Sequence, residues 1–154
     1  MTIAEIILLG PGEGKIASVL RDKYTFKAAS QNTGGAYALW EIATPAAAAG
    51  PPPHIHERED EAFYILEDEL TFKISDRTVK AAAGTFAFAP RGIVHTFSNP
   101  GTKPTKALVI VSSAGFENAL EEMAQVAPGG DQPPDMKKLL AIANKYGLKI
   151  VGSE

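Results

Sequence analysis

The feature that most constrains the fold of this chain is a regular alternation of short apolar runs with turn-forming residues. Gly, Pro, Asp or Asn separates the runs at intervals of about 8 to 12 residues, which is typical of a β-sandwich or β-barrel. Strands are predicted over Tyr24–Ser30, Ala36–Thr44, Ala62–Glu67, Leu70–Ile74, Thr78–Ala82, Thr85–Ala89, His95–Ser98 and Ala107–Ser112. The middle of the chain is therefore predicted to be mostly β.

Beyond Ser113 the apolar period changes from that of a strand to that of a helix. The predicted apolar faces of two helices are Phe116, Leu120, Met123 and Ala127, then Met136, Leu139, Leu140 and Ala143. The linker PGGDQPPD separates the helices, and Gly147 is expected to end the second one. We predict a single domain over residues 1–154, with a barrel core at about 24–113 and helices at about 115–147. The helices are interpreted as packing elements or as a lid over one barrel mouth.

Composition excludes several functional classes. An apolar fraction of 45% with 21% charged residues is typical of a soluble globular protein. The net charge of −3, without any Lys/Arg cluster, argues against a nucleic-acid partner. The chain has no cysteine, and no run of about 18 apolar residues that could cross a membrane. Because the start, MTIAEIILLG, lacks the pattern of a secretory signal, a cytoplasmic protein is expected.

Two of the three histidines, His54 and His56, are one residue apart in the segment PPPHIHEREDE. Residues i and i+2 of a strand point to the same side, so both imidazoles would face one point. Glu61 opens the following strand, where its carboxylate could reach that point. By themselves these residues are compatible with a metal site and also with a charged surface loop.

The third histidine, His95, lies in a segment shaped by glycines and a proline. Every fixed position of the pattern G-x5-P-x-G-x2-H-x3-N is occupied, by Gly84, Pro90, Gly92, His95 and Asn99. The ligand positions of a companion pattern, G-x5-H-x-H-x4-E-x6-G, are occupied by His54, His56 and Glu61. With both patterns in order along the chain, the sequence resembles the cupin superfamily.

The resemblance implies a mostly β fold, the cupin jelly-roll barrel or double-stranded β-helix, with a C-terminal helical segment. It also implies one divalent first-row transition metal ion held by His54, His56, Glu61 and His95. Three imidazoles and one carboxylate suit Fe, Ni, Mn, Co, Cu or Zn, and the ligand types do not choose among them.

Two glycines of the companion pattern are replaced in this chain, by Ala48 and Asp68. Gly50 lies close enough to Ala48 to serve the same turn. Asp adopts left-handed backbone conformations more readily than most residues, so we expect the hairpin at Asp68 to form with some strain.

Within the superfamily, the segments TGGAYALWEI and PPPHIHEREDEAFYILEDEL are similar to single-domain cupins described as quercetin 2,3-dioxygenase-like. This resemblance implies an oxidoreductase in which catalytic Glu61 accepts the proton of a small enol or phenol substrate before the anion reacts with dioxygen. Phe63 and Phe97 share strand parity with Glu61 and His95, so they are expected to line an apolar substrate pocket. Trp40 is a further candidate. The alternative is that all three aromatic residues are ordinary barrel core.

Other functions stay open at this point. A cupin can bind a small molecule without catalysis, and the same ligands could serve an isomerase or a lyase. Thiol dioxygenases of this fold use three histidines without the glutamate, so Glu61 argues against them. Germin-like oxalate oxidases share the four ligands but are secreted and usually contain cysteine.

A homodimer is expected from the N-terminal run Ile3, Ile6, Ile7, Leu8 and Leu9, which is more apolar than a free terminus should be. The run is predicted to be buried, either on its own barrel or across a twofold interface.

Overall fold

The computed structural model describes residues 5–152, and in this range the chain forms eleven strands and three helices. In chain order they are β1 Lys15–Val19, β2 Asp22–Ala28, α1 Ser30–Thr33, β3 Ala38–Thr44, β4 His54–His56, β5 Asp60–Glu67, β6 Glu69–Ile74, β7 Arg77–Ala82, β8 Phe86–Ala89, β9 His95–Ser98, β10 Thr105–Ser112, α2 Phe116–Val126, α3 Met136–Lys145 and β11 Leu148–Ile150.

The strands form two antiparallel sheets that pack face to face as a jelly roll. The first sheet has the order β1-β2-β3-β10-β5-β8, and the second has the order β11-β4-β9-β6-β7. Phe63 of β5 lies across the barrel from Phe72 of β6 and Phe97 of β9, with ring centroids 5.0 and 5.8 Å apart. The predicted mostly β fold with C-terminal helices is confirmed.

The strand pattern of the sequence is reproduced closely. Each predicted strand has a counterpart whose ends differ by two residues or fewer, and His54–His56 forms a short strand of its own. Sequence analysis missed Lys15–Val19 and Leu148–Ile150. The second of these has three residues and becomes a strand by pairing with β4, so its conformation depends on a tertiary contact.

The two replaced glycine positions are accommodated in different ways. Asp68 joins β5 to β6 with φ of 59°, the left-handed conformation that was expected of it. Ala48 is buried and exchanges backbone hydrogen bonds with Asn99, at 3.0 and 2.9 Å. Gly50 meets the requirement for glycine instead: its φ is 74°, and a Cβ there would overlap the carbonyl oxygen of Phe97.

The C-terminal helices pack on the barrel through a smaller apolar face than predicted. All four predicted residues of the first face, Phe116, Leu120, Met123 and Ala127, are buried. Of the second face, Ala143 is buried and Leu139 is partly buried against the core, whereas Met136 and Leu140 are exposed. Gly147, with φ of 73°, follows the end of α3 as expected.

The described part of the N-terminal run is exposed rather than buried on its own barrel. Ile6 and Leu8 are 90% and 88% exposed, and Ile7 and Leu9 are also exposed. Ile3 lies outside the described residues. The prediction that this run is buried on the barrel of the same chain is therefore wrong for its described part. Burial across a twofold interface stays a prediction. No helix between residues 5 and 152 has the length and apolar character needed to cross a membrane.

Asn99 connects three backbone segments near the end of β9. Its amide nitrogen lies 3.2, 3.1 and 2.8 Å from the carbonyl oxygens of Thr44, Pro45 and Lys103, which accept from it. Its amide oxygen accepts from the backbone N–H of Gly101 at 3.1 Å. The side chain is buried, so these backbone groups have little access to water as an alternative partner.

We predict that Asn99→Ala lowers the free energy of unfolding by about 3 kcal/mol, because several buried backbone groups lose their partner at once. Urea unfolding of the purified proteins measures the change. Asn118→Ala, on an exposed face of α2, is the matched control and is expected to change stability by less than about 0.5 kcal/mol. Equal stability of the two variants would contradict the assigned role.

Candidate metal centre

Four side chains from three strands converge inside the barrel: His54, His56, Glu61 and His95. His54 lies directly opposite His95 in the pairing of β4 with β9. His56 is two residues further along β4 and points to the same side, and Glu61 reaches in from β5 in the other sheet. All four are buried, and one ligand atom of each lies within 4.8 Å of those of the others. The predicted convergence of these four residues is confirmed.

The hydrogen bonds behind the rings determine which ring nitrogen faces the centre. Nδ1 of His54 lies 2.9 Å from the carbonyl oxygen of Pro52, and Nδ1 of His95 lies 3.1 Å from that of Ile93. A carbonyl oxygen can only accept, so both Nδ1 atoms carry a hydrogen. In the neutral ring Nε2 then has a free lone pair, which is the state that a metal ligand requires.

The Nε2 atoms of His56 and His95 each lie 3.0 Å from Oε2 of Glu61. A lone pair directed at a carboxylate oxygen needs a cation between them, either a proton or a metal ion. Buried nitrogen and oxygen donors of this kind fit a divalent first-row transition metal. The donor set therefore fits the metal that the sequence implies.

The charges of the cluster shift its protonation equilibria. Burial alone would raise the pKa of Glu61, but the His56 and His95 rings outweigh burial and hold that pKa well below its usual range. Burial alone would lower the pKa of His56, but Glu61 and Glu59 outweigh it and raise this pKa to about 9. Burial, reinforced by the charge of His95, lowers the pKa of His54 to about 4. In the metal-free protein Glu61 is therefore ionised and His54 neutral at neutral pH.

The aromatic residues expected in a substrate pocket are all buried members of the main core. The Phe63 ring lies 6.3 Å from that of His95, so it borders the cluster. Phe97 contacts Phe63, whereas Trp40 packs edge-on against Tyr24 and Phe26. These contacts establish a packing role for the three residues, and contact with a substrate stays a prediction.

Two residues at the centre were missed in the sequence. Glu59 is buried, and its Oε2 lies 3.2 Å from Nδ1 of His56. Phe116, the first residue of α2, packs edge-on against the His56 ring with centroids 4.6 Å apart. The spacing of three residues between His56 and Glu59 was the available signal for a contact between them. The sequence alone does not show which acid of the charged run Glu57–Asp60 is buried.

Comparison with known proteins agrees with this architecture. Residues 40–111 match the family model Cupin_2, described as the cupin domain. Germin-like protein subfamily 2 member 2 of Arabidopsis thaliana is 36% identical over 83 residues, which cover 49% of this chain and 35% of that protein. The chain therefore spans about a third of the length of this curated relative.

Solved structures show the same fold at low sequence identity. An RmlC-like cupin from Shewanella frigidimarina superposes with a TM-score of 0.63 at 17% identity, covering 74% of this chain and 96% of that one. A predicted oxalate decarboxylase from Thermotoga maritima gives 0.61 at 20% identity, covering 71% and 99%. These solved structures show a shared fold, and the match to the cupin domain is confined to residues 40–111 of this chain.

Proposed function

We propose that this protein is a metal-dependent oxidoreductase of the quercetinase-like type, acting on a small enol or phenol with dioxygen as co-substrate. His54, His56, Glu61 and His95 would hold one divalent ion of Fe, Ni, Mn, Co, Cu or Zn. The observation that carries the proposal is the buried convergence of three imidazoles and one carboxylate. These four residues would hold the ion, and a first-row ion that takes more than four ligands could also bind a small molecule there.

When bound, any of these metals would supply Lewis-acid polarisation of the substrate hydroxyl, and a redox-active ion, which excludes Zn, would also supply electron transfer toward dioxygen. Glu61 would supply the base. Its Oε2 lies 3.0 Å from Nε2 of His56 and 3.0 Å from Nε2 of His95, beside the position where the metal would be held. It is thus placed to accept the hydroxyl proton of a substrate that enters the centre.

Phe63 and Phe97 are proposed to form the apolar wall against which a flat substrate packs. Support comes from the Phe63 ring, which contacts both Phe97 and the His95 ring. Trp40 is proposed as a further residue of this pocket, and its ring packs on Tyr24 and Phe26. An apolar wall would also exclude water from the proton transfer and strengthen the charge interactions there.

The absence of cysteine supports our proposal that the protein acts in the cytoplasm. Fractionation of the source cells tests it, and recovery of the protein with secreted material would contradict it.

The first prediction concerns metal content. Protein incubated with excess Fe, Ni, Mn or Zn and then desalted should retain about one ion per chain by elemental analysis, because all four ligands are preorganised. His95→Ala should lose most of it, whereas Asp76→Asn, an exposed acid between β6 and β7, should not. A wild-type protein that retains none of these metals would contradict the proposed site.

The second prediction separates ligation from catalysis at Glu61. Glu61→Gln, refilled with metal, should still turn over a flavonol such as quercetin about 10² to 10⁴ times more slowly, because an amide cannot accept the proton. His95→Ala should act mainly through lost metal, and Glu69→Gln, an exposed control, should behave as wild type. Oxygen consumption measured alongside metal content checks this.

Near-normal turnover by the metal-replete Glu61→Gln variant would leave Glu61 a ligand and nothing more. Metal-replete wild-type protein that consumes no oxygen with enol or phenol substrates would instead favour the non-catalytic binding function.

The third prediction concerns assembly. We propose that the exposed apolar run Ile6–Leu9 is buried against a second copy of the chain in a homodimer. Light scattering at micromolar concentration should give twice the monomer mass for wild type. Ile6→Ser combined with Leu8→Ser should shift the equilibrium toward the monomer, whereas Leu140→Ser on α3 should leave it unchanged. A monomeric wild type would refute the dimer.

A further inference from the structure

The buried carboxylate of Glu59 stands out in a run of charged residues that otherwise face solvent. Glu57 and Arg58 are exposed, and Asp60 is half-buried and forms an ion pair with Arg91. Glu59 by contrast is 4% exposed, and its Oε2 lies 3.2 Å from Nδ1 of His56. Burying a carboxylate costs free energy unless it is paired, so the structure must compensate for this one.

The compensation comes from the His56 ring. In the part of the chain that the structure describes, this ring is the one ion-pair partner of Glu59. The Nδ1–H groups of His54 and His95 instead donate to neutral backbone carbonyl oxygens. The three imidazoles are therefore not equivalent, since a full negative charge stands behind one of them.

A charge count explains why such an arrangement would suit a metal. A divalent cation brings two positive charges into a buried cluster, and Glu61 supplies one negative charge in direct contact. Glu59 supplies the second through the His56 ring, so the buried assembly would be neutral. In a region of low dielectric constant, a neutral assembly avoids most of the cost of desolvating a net charge.

We infer that Glu59 is a positioning residue that orients His56 and completes the charge balance of a divalent metal centre. This inference rests on the proposed metal site and deepens it. Glu59 would hold Nδ1–H of His56, keep Nε2 directed at the centre, and increase the electron density that the ring donates. Carboxylates behind metal-bound histidines typically change metal affinity by about 10- to 100-fold.

Two substitutions separate the charge of Glu59 from its hydrogen bond. Glu59→Gln removes the charge but keeps an oxygen that can accept from His56, and Glu59→Ala removes both. Glu57→Gln, two residues away and exposed, is the matched control. Competition with a chelator gives the Zn(II) affinity of each protein, with no need for turnover. We expect an affinity about tenfold weaker for the Gln variant, up to about 100-fold weaker for the Ala variant, and unchanged for the control.

A second readout distinguishes positioning from general loss of structure. The chain has three histidines, all at this centre, so the ring nitrogens of Zn(II)-loaded, ¹⁵N-labelled protein give a simple spectrum. Glu59→Gln should shift the Nδ1 and Nδ1–H signals of His56 and leave those of His54 and His95 nearly unchanged. A merely structural effect would move all three rings together.

The outcomes distinguish this inference from the proposed function. Zn(II) binding by wild type, with equal affinity in both Glu59 variants or an unshifted His56 signal, would overturn the role of Glu59 and leave the metal site standing. Wild-type protein that binds neither Zn(II) nor any of the other proposed divalent ions would overturn both. If Glu59→Ala fails to fold, the nearly isosteric Gln variant, with circular dichroism as a check on its structure, decides the question.

Discussion

The burial of five polar side chains inside an apolar barrel is the constraint on which the rest of the structure depends. Three imidazoles and two carboxylates lose contact with water there, and each must be compensated by a neighbour. Backbone carbonyls compensate Nδ1 of His54 and His95, and Glu59 compensates that of His56. Because each Nδ1 atom has a partner of its own, the Nε2 atoms of His56 and His95 are free to face Glu61. The hydrogen bonds of the centre therefore determine its electrostatics.

The barrel wall gives this cluster its rigidity. Glu61 belongs to the sheet opposite the histidines, so the two halves of the centre meet only if both sheets pack in register. Phe63, Phe72 and Phe97 fill the space between the sheets and contact one another edge-on or tilted. Close packing of this kind leaves little freedom for the neighbouring side chains of the cluster. This rigidity suits a centre that must hold its ligands in a defined geometry.

The C-terminal segment is structurally part of the centre. β11 pairs with the histidine strand β4, placing Leu148 opposite His56 and Ile150 opposite His54. Phe116 at the start of α2 covers one side of the His56 ring. The two helices were interpreted from sequence as packing elements or a lid, whereas the pairing with the strand that carries two of the four clustered residues is made by β11, which the sequence did not predict.

The sequence by itself determined a mostly β class, most strand positions and the shared side of His54 and His56, while its resemblance to cupins implied the jelly roll and the full set of four clustered residues. It could do so because local signals carry this information: alternation with turn residues specifies strands, and the i, i+2 spacing of His54 and His56 specifies a shared side. The turn conformation of Asp68 also followed from its residue type. Tertiary structure alone decided what depends on distant partners. The burial of Glu59, the pairing of β11 with β4, and the exposure of Met136 and the Ile6–Leu9 run each depend on which surfaces meet. Local sequence patterns do not encode these tertiary contacts, because the burial of a residue depends on the packing of the whole chain.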